Sequence, residues 1–102
     1  TNVMHACEAE TSMMMALEPN LVVESLLNEA KGPMKLDFLN AGKGSYRWRS
    51  LTHVTSNGVI GDPSQSSSAK GEQLLQEASQ AIFELICNPD TFKLQSEFRL
   101  PE

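Results

Sequence analysis

A polar segment that runs directly into an apolar one, residues 5–19, most strictly limits how this chain can fold. His5 and two nearby glutamates place an imidazole and two carboxylates within six positions. The residues behind them predict a helix over about 10–17, which Thr11 or Ser12 can cap, and its apolar run favours burial on nearly every side. Because a helix N-terminus fixes geometry and favours anionic groups, this polar cluster is a candidate site for chemistry.

The composition is that of an ordinary globular domain. The 102 residues are 40% apolar and 21% charged, and the net charge of −5 includes no cluster of lysine or arginine. Such a surface argues against nucleic acid and anionic membranes as partners. No apolar run is long enough to span a bilayer, and no signal-peptide pattern is present. We expect a cytoplasmic protein with Cys7 and Cys87 as reduced, buried thiols.

The middle of the chain predicts a mixture of short elements. Proline at position 19 ends the first helix, and Gly32-Pro33 ends the segment after it. The segment 46–55 alternates only in part, at Tyr46, Trp48, Leu51 and Val54, and is typical of an irregular strand with a buried tryptophan. The expected elements are the end of a strand at 1–4, a short helix or helical turn at 21–30, a long loop at 34–46, a strand at 46–55 and turns at 56–63.

A final helix is the clearest element of the pattern. Small polar residues at 64–68 can cap it, Asn88-Pro89 ends it, and its apolar residues form one broad stripe. We therefore predict one domain over residues 1–89 and a tail over 90–102. The residues of the stripe are Leu74, Leu75, Ala78, Ala81, Ile82, Leu85 and Ile86.

Two segments resemble the creatininase family of metal-dependent amidohydrolases. The family's late segment reads roughly H-(A/G)-G-x-(F/A)-E-T-S-L-M-L-A-L-x-P-x-L-V, and residues 5–22 match it, with Cys7 where the family usually has glycine. Residues 57–63 and 68–72 are similar to the family's G-V-x-G-D-P followed by A-x-x-x-K-G. The two matches occur in the family's order and together cover about residues 4–87.

The resemblance implies an α/β fold in which these helices and strands finish one side of a layered α/β/α domain. Only the C-terminal part of that domain is expected here, because family members are more than twice as long. A sheet edge and the apolar faces of both helices would then be exposed. We therefore expect oligomerisation, most simply a two-fold dimer, or a chain that supplies the N-terminal part.

The resemblance also implies roles for individual residues. His5 matches a histidine that lies over the metal site and donates or relays a proton, which suits a group that titrates near neutrality. Glu10 matches a glutamate that orients this histidine or steadies the loop, although a first-turn carboxylate stabilised by the helix dipole explains it equally well. The loop at 58–63 is expected to shape the rim of the site.

The metal ligands of the family lie in segments upstream of these matches. The chain holds two histidines, His5 and His53, without the paired spacing of a metal site. We expect no tightly bound metal in this chain alone, whereas an intact relative would carry zinc or manganese. Thr1 stands where creatinine-specific members have tryptophan, so creatinine is a poor candidate substrate.

Two functions remain open at this level. The first is a C-terminal fragment of a creatininase-like hydrolase that acts on a cyclic amide or other C–N bond, with His5 and Glu10 as site residues. The second is a non-catalytic, self-associating α/β module that keeps only the family scaffold. The metal content and oligomeric state of the purified protein distinguish them.

Overall fold

The computed structural model describes residues 3–36 and 47–92, and the regular structure within these ranges is helical. Two short 3₁₀ turns, Pro19–Leu21 and Glu24–Leu26, occupy the segment in which the sequence predicted a short helix or helical turn. Most of the predicted loop at 34–46, all of 93–102 and residues 1–2 lie outside the described residues. The α-helices are α1, Glu8–Leu17; α2, Leu51–Val54; and α3, Ser68–Cys87.

Helix α1 begins earlier than the sequence predicted. Cys7 is the N-cap residue, with an extended backbone and no capping side-chain bond, so neither Thr11 nor Ser12 caps the helix. The predicted end is confirmed, because the Glu18 N–H donates to the Met14 carbonyl at 2.8 Å and Pro19 follows.

Burial along α1 is confined to one narrow face. Ala9 and Ser12 are buried, whereas Met14 and Leu17 are 40% and 60% exposed. The prediction of burial on nearly every side was therefore wrong. Within the part of the chain that the structure describes, α3 covers one face of α1, and the small residues on that face permit close contact.

The first turn of α3 is the part that packs against α1. A Cβ added at Gly71 would lie 1.9 Å from the Ser12 carbonyl oxygen, so the two backbones approach closely there. The Ser67 N–H donates to Ser12 Oγ at 3.1 Å, and Lys70 forms an ion pair with Glu8. Backbone contact and polar bonds together fix the crossing of the two helices.

The backbone also makes close contact at a second place, where the segment after the 3₁₀ turns meets the loop that precedes α3. The Gly32 N–H donates to the Gly61 carbonyl at 3.0 Å, and a Cβ added at Gly32 would lie 1.7 Å from the Val59 carbonyl oxygen. Asn57 Nδ2 donates to the Lys31 carbonyl at 3.0 Å. The small buried core lies beside this contact and contains Cys7, Ala9, Val59, Ile60 and Pro63.

The structure corrects the predicted α/β fold class. In residues 3–36 and 47–92 no strand forms, and the β-type pairing recorded there is an isolated antiparallel bridge between His5 and Ile60. Residues 51–54 of the predicted strand form α2, and Trp48 is 75% exposed. A strand requires a ladder of consecutive pairs with a neighbour, and one residue pair does not provide it.

Helix α3 confirms its predicted caps. The Ser67 side chain accepts from the Lys70 N–H, and the helix ends at Cys87 with Asn88 as its C-cap. Three residues of the predicted apolar stripe, Ile82, Leu85 and Ile86, are 57–59% exposed, and the neighbouring Phe83 is 61% exposed. Cys87 is exposed as well, whereas Cys7 is buried as expected. None of the described helices combines the length and apolarity needed to cross a membrane.

Candidate functional site

The main chain of His5 is held in place, while its side chain is open to solvent. The His5 N–H donates to the Ile60 carbonyl at 3.3 Å, and the Ile60 N–H donates back to the His5 carbonyl at 2.8 Å. The side chain is 52% exposed. Ala6, the next residue, has a φ of 48°, a conformation that residues other than glycine rarely adopt. The two hydrogen bonds to Ile60 and this sharp turn together fix the main-chain position from which the His5 side chain extends.

Glu10 connects this turn to the first turn of α1. Its Oε2 accepts from the Ala6 N–H at 2.6 Å and lies 3.9 Å from His5 Nδ1. The Thr11 hydroxyl donates to the Ala6 carbonyl at 3.3 Å. Like the glutamate of a capping box, Glu10 satisfies a backbone N–H just before the helix. Its two predicted roles are compatible, since one carboxylate stabilises the helix start and lies beside the histidine.

Cys7 replaces the family's usual glycine without opening the turn. Its side chain is 2% exposed, and the Met4 N–H donates to its Sγ at 3.2 Å. Its Cβ lies against Gly61, where a Cβ would be only 3.0 Å away. Gly61 has a φ of 120° and is buried, so the absence of a side chain there provides the room that Cys7 fills.

An open cavity of about 410 Å³ lies beside His5 and Glu10. Val59 and Pro63 contribute to its wall, so the loop at 58–63 borders the site as the sequence predicted. The sequence did not indicate the rest of the wall, which comes from the start of α1 and from apolar residues around the 3₁₀ turns. The further lining residues are Ala6, Thr11, Met14, Leu21, Val22, Val23, Leu27 and Ala30.

The described residues do not fit a metal centre. No group of three His, Cys, Asp or Glu side chains in residues 3–36 and 47–92 is arranged to hold a metal ion. Glu8, which could have joined His5 at such a site, pairs with Lys70 instead. His53 lies on α2, with its Nδ1 3.2 Å from the Ser50 hydroxyl. The expectation that this chain alone binds no metal tightly stays a prediction.

Asp62 anchors the loop that borders the site. Its Oδ1 accepts from the Ser64 N–H at 2.9 Å, and its Oδ2 lies 3.0 Å from Lys31 Nζ. Hydrogen bonds from the Ser64 side chain and backbone, followed by the Lys31 ammonium group, lower the pKa of Asp62 to about 2. The sequence singled out the Gly-Asp-Pro turn, but the Lys31 partner is set by tertiary contact.

Lowering the pH should remove the stability that the Asp62 contacts provide. Because the folded-state pKa of Asp62 lies below its value of 3.8 in the unfolded chain, its contribution is fully present above about pH 4 and is lost as pH falls toward 2. We expect Asp62→Asn to lower the thermal midpoint at pH 6 and to flatten its decline between pH 4 and 2. Glu72→Gln, on exposed α3, is the control. An unchanged slope for Asp62→Asn would contradict the prediction.

Comparison with known proteins gives one positive match. The family model described as creatininase, creatinine amidohydrolase, matches residues 1–86. No curated protein and no solved structure is significantly similar to the chain. The matched range includes the His5–Glu10 turn, the loop at 58–63 and nearly all of α3. The chain therefore belongs to the creatininase family.

Proposed function

We propose that this chain forms the His5–Glu10 part of the active site of a metal-dependent amidohydrolase that cleaves a cyclic amide or other C–N bond. The observation that carries the proposal is the geometry of His5. Its main chain is fixed at Ile60, its imidazole borders a cavity, and its Nδ1 lies 3.9 Å from an anchored carboxylate. Family membership supplies the class of reaction.

The proposed chemistry assigns His5 the movement of one proton. Hydrolysis adds water to the carbonyl carbon and breaks the C–N bond, and the departing nitrogen must gain a proton. An imidazole in contact with the substrate can deliver that proton as a general acid. Glu10 acts as a positioning residue, because a carboxylate beside Nδ1 favours the ring orientation that leaves Nε2 directed at the substrate.

The proposal places the metal ligands outside the described part of this chain. Members of the family are generally metal-dependent, yet the described residues present no cluster that fits a metal ion. The role proposed for this chain is limited to its own side chains, which bind and orient the substrate and transfer the proton.

The test is to purify the protein from the cells that produce it, by an affinity tag at its C-terminus, so that any associated polypeptide is purified with it. We expect the preparation to contain zinc or manganese together with the polypeptide that holds it, and to open the rings of a panel of cyclic amides such as hydantoin and dihydrouracil. Elemental analysis measures the metal content, and chromatography of the products measures ring opening. A metal-free preparation that opens no ring would contradict the proposal.

A non-catalytic, self-associating role is the second candidate, and the exposed end of α3 favours it. Ile82, Phe83, Leu85 and Ile86 are all more than half exposed and lie within five consecutive positions near the end of α3. Grouped apolar side chains of this kind mark interaction surfaces. We propose a second copy of the chain as the partner, with the two α3 faces packed against each other.

We therefore expect a dimer when the molar mass is measured by light scattering. Ile82→Glu should shift the protein to a monomer, because the new carboxylate would be buried without a partner. Gln80→Glu is the matched control, since it adds the same charge to the polar side of α3 and should leave the dimer intact. A monomeric wild-type protein at high micromolar concentration would contradict this candidate.

A further inference from the structure

We infer that the cavity beside His5 is a specificity subsite for an apolar substituent on a neutral amide ligand. This inference rests on the proposed function, because it concerns the ligand of the same site. It adds that the ligand carries an alkyl or comparable side group, and it assigns the selection of that group to the cavity-lining residues Leu21, Val23 and Leu27.

The walls of the cavity supply the first argument. Leu21 ends the first 3₁₀ turn and Val23 precedes the second. They are 71% and 60% exposed, yet both border the same cavity as the less exposed Leu27. Single exposed apolar residues are common on proteins, but several around one concavity are typical of ligand sites. An apolar ligand group that covers these side chains removes them from water, and this burial is the main source of favourable binding free energy at the site.

The charges around the cavity supply the second argument. Among the described residues that line it, Glu10 is the one carboxylate and none is a lysine or arginine. An anionic ligand group would therefore face a carboxylate without a compensating permanent cation. A neutral amide meets no such repulsion, and its carbonyl oxygen can accept a hydrogen bond from the His5 ring.

The size of the cavity limits the ligand. A volume of about 410 Å³ lies at the small end of the range of roughly 300–1,000 Å³ that is usual for small-molecule sites. One amide ring and a short chain fit such a space. A peptide or a nucleotide requires a longer groove.

The experiment uses 2-pyrrolidinone and its 5-ethyl, 5-butyl and 5-hexyl derivatives as probes. Binding to the purified chain is followed by the NMR signal of the Met14 methyl group, which borders the cavity. Met34 borders a separate cavity of about 230 Å³ and is the internal control. We expect each added methylene to tighten binding about two- to four-fold until the cavity is filled, as expected for burial of a CH₂ group.

Two matched variants test which residues select the alkyl chain of the probe. Val23→Ser removes an apolar wall residue and should reduce the gain per methylene. Leu26→Ser removes a similarly exposed apolar side chain that does not line the cavity, and it should leave the gain unchanged. His5→Ala should weaken all four probes by the same factor, because it removes the contact to the shared amide.

Equal affinity across the series, or equal effects of Val23→Ser and Leu26→Ser, would overturn the inference. A shift of the Met34 signal in place of Met14 would also overturn it. These outcomes are separate from a failure of the proposed function. Binding that increases with chain length, in a cellular preparation that opens no ring, would support the subsite and contradict the hydrolase.

Discussion

Replacing Gly71 with alanine is expected to lower the free energy of unfolding by about 1–3 kcal/mol, the usual scale of overpacking. In an isolated helix the same change would be favourable by about 1 kcal/mol. The sign reverses here because the new Cβ would lie 1.9 Å from the Ser12 carbonyl oxygen. That oxygen belongs to the backbone of α1, so no side-chain rotation relieves the overlap, and the two helices must move apart.

Urea unfolding followed by far-ultraviolet circular dichroism measures this effect. Ser79→Ala is the control, because Ser79 is exposed on the same helix, where the change should stay within about 0.5 kcal/mol. Gly71→Val should be more severe than Gly71→Ala. If Gly71→Ala stabilised the protein as Ser79→Ala can, the close crossing of α1 and α3 would not exist in solution.

Replacing His5 with alanine is expected to lower the rate of hydrolysis by about 10²–10⁴-fold in the active assembly that contains this chain, as for loss of a general acid or base. The free energy of unfolding should change little. The His5 side chain is 52% exposed, and the two bonds to Ile60 come from the main chain, which alanine retains. Rate and stability should therefore separate in this variant.

Glu8→Gln is the control for this measurement. Glu8 belongs to the same segment, but it pairs with Lys70 on the exposed side of the helix crossing and does not line the His5 cavity. Its replacement should leave the rate nearly unchanged. If His5→Ala instead unfolded the protein, His5 would be a structural residue, and its interpretation as an inherited catalytic position would be wrong.

Glu10 explains why structural and catalytic interpretations of this turn are hard to separate. Its carboxylate accepts the Ala6 N–H at 2.6 Å, so its replacement removes a helix-start bond as well as the group beside His5. Glu10→Gln keeps an acceptor oxygen for Ala6 while it removes the charge. The conservative variant is therefore more informative than alanine at this position.

The sequence by itself determined the features that depend on neighbouring residues and on the family pattern. Proline at position 19 ends α1, Ser67 and Asn88 bound α3, and the order of motifs identified the family. The five-residue interval between His5 and Glu10 also placed the two side chains together, since a single short turn joins them. Apart from the order of the motifs, each of these signals acts over a few residues.

Only the tertiary structure decided which surfaces are buried and whether strands form. The sequence could not show that Gly71 meets Ser12, that Gly32 meets Val59, or that Lys31 pairs with Asp62. It also could not show that residues 51–54 form a helical turn. These contacts join residues that are far apart in the chain, and whether apolar positions are buried or a strand forms depends on the neighbours that tertiary packing provides.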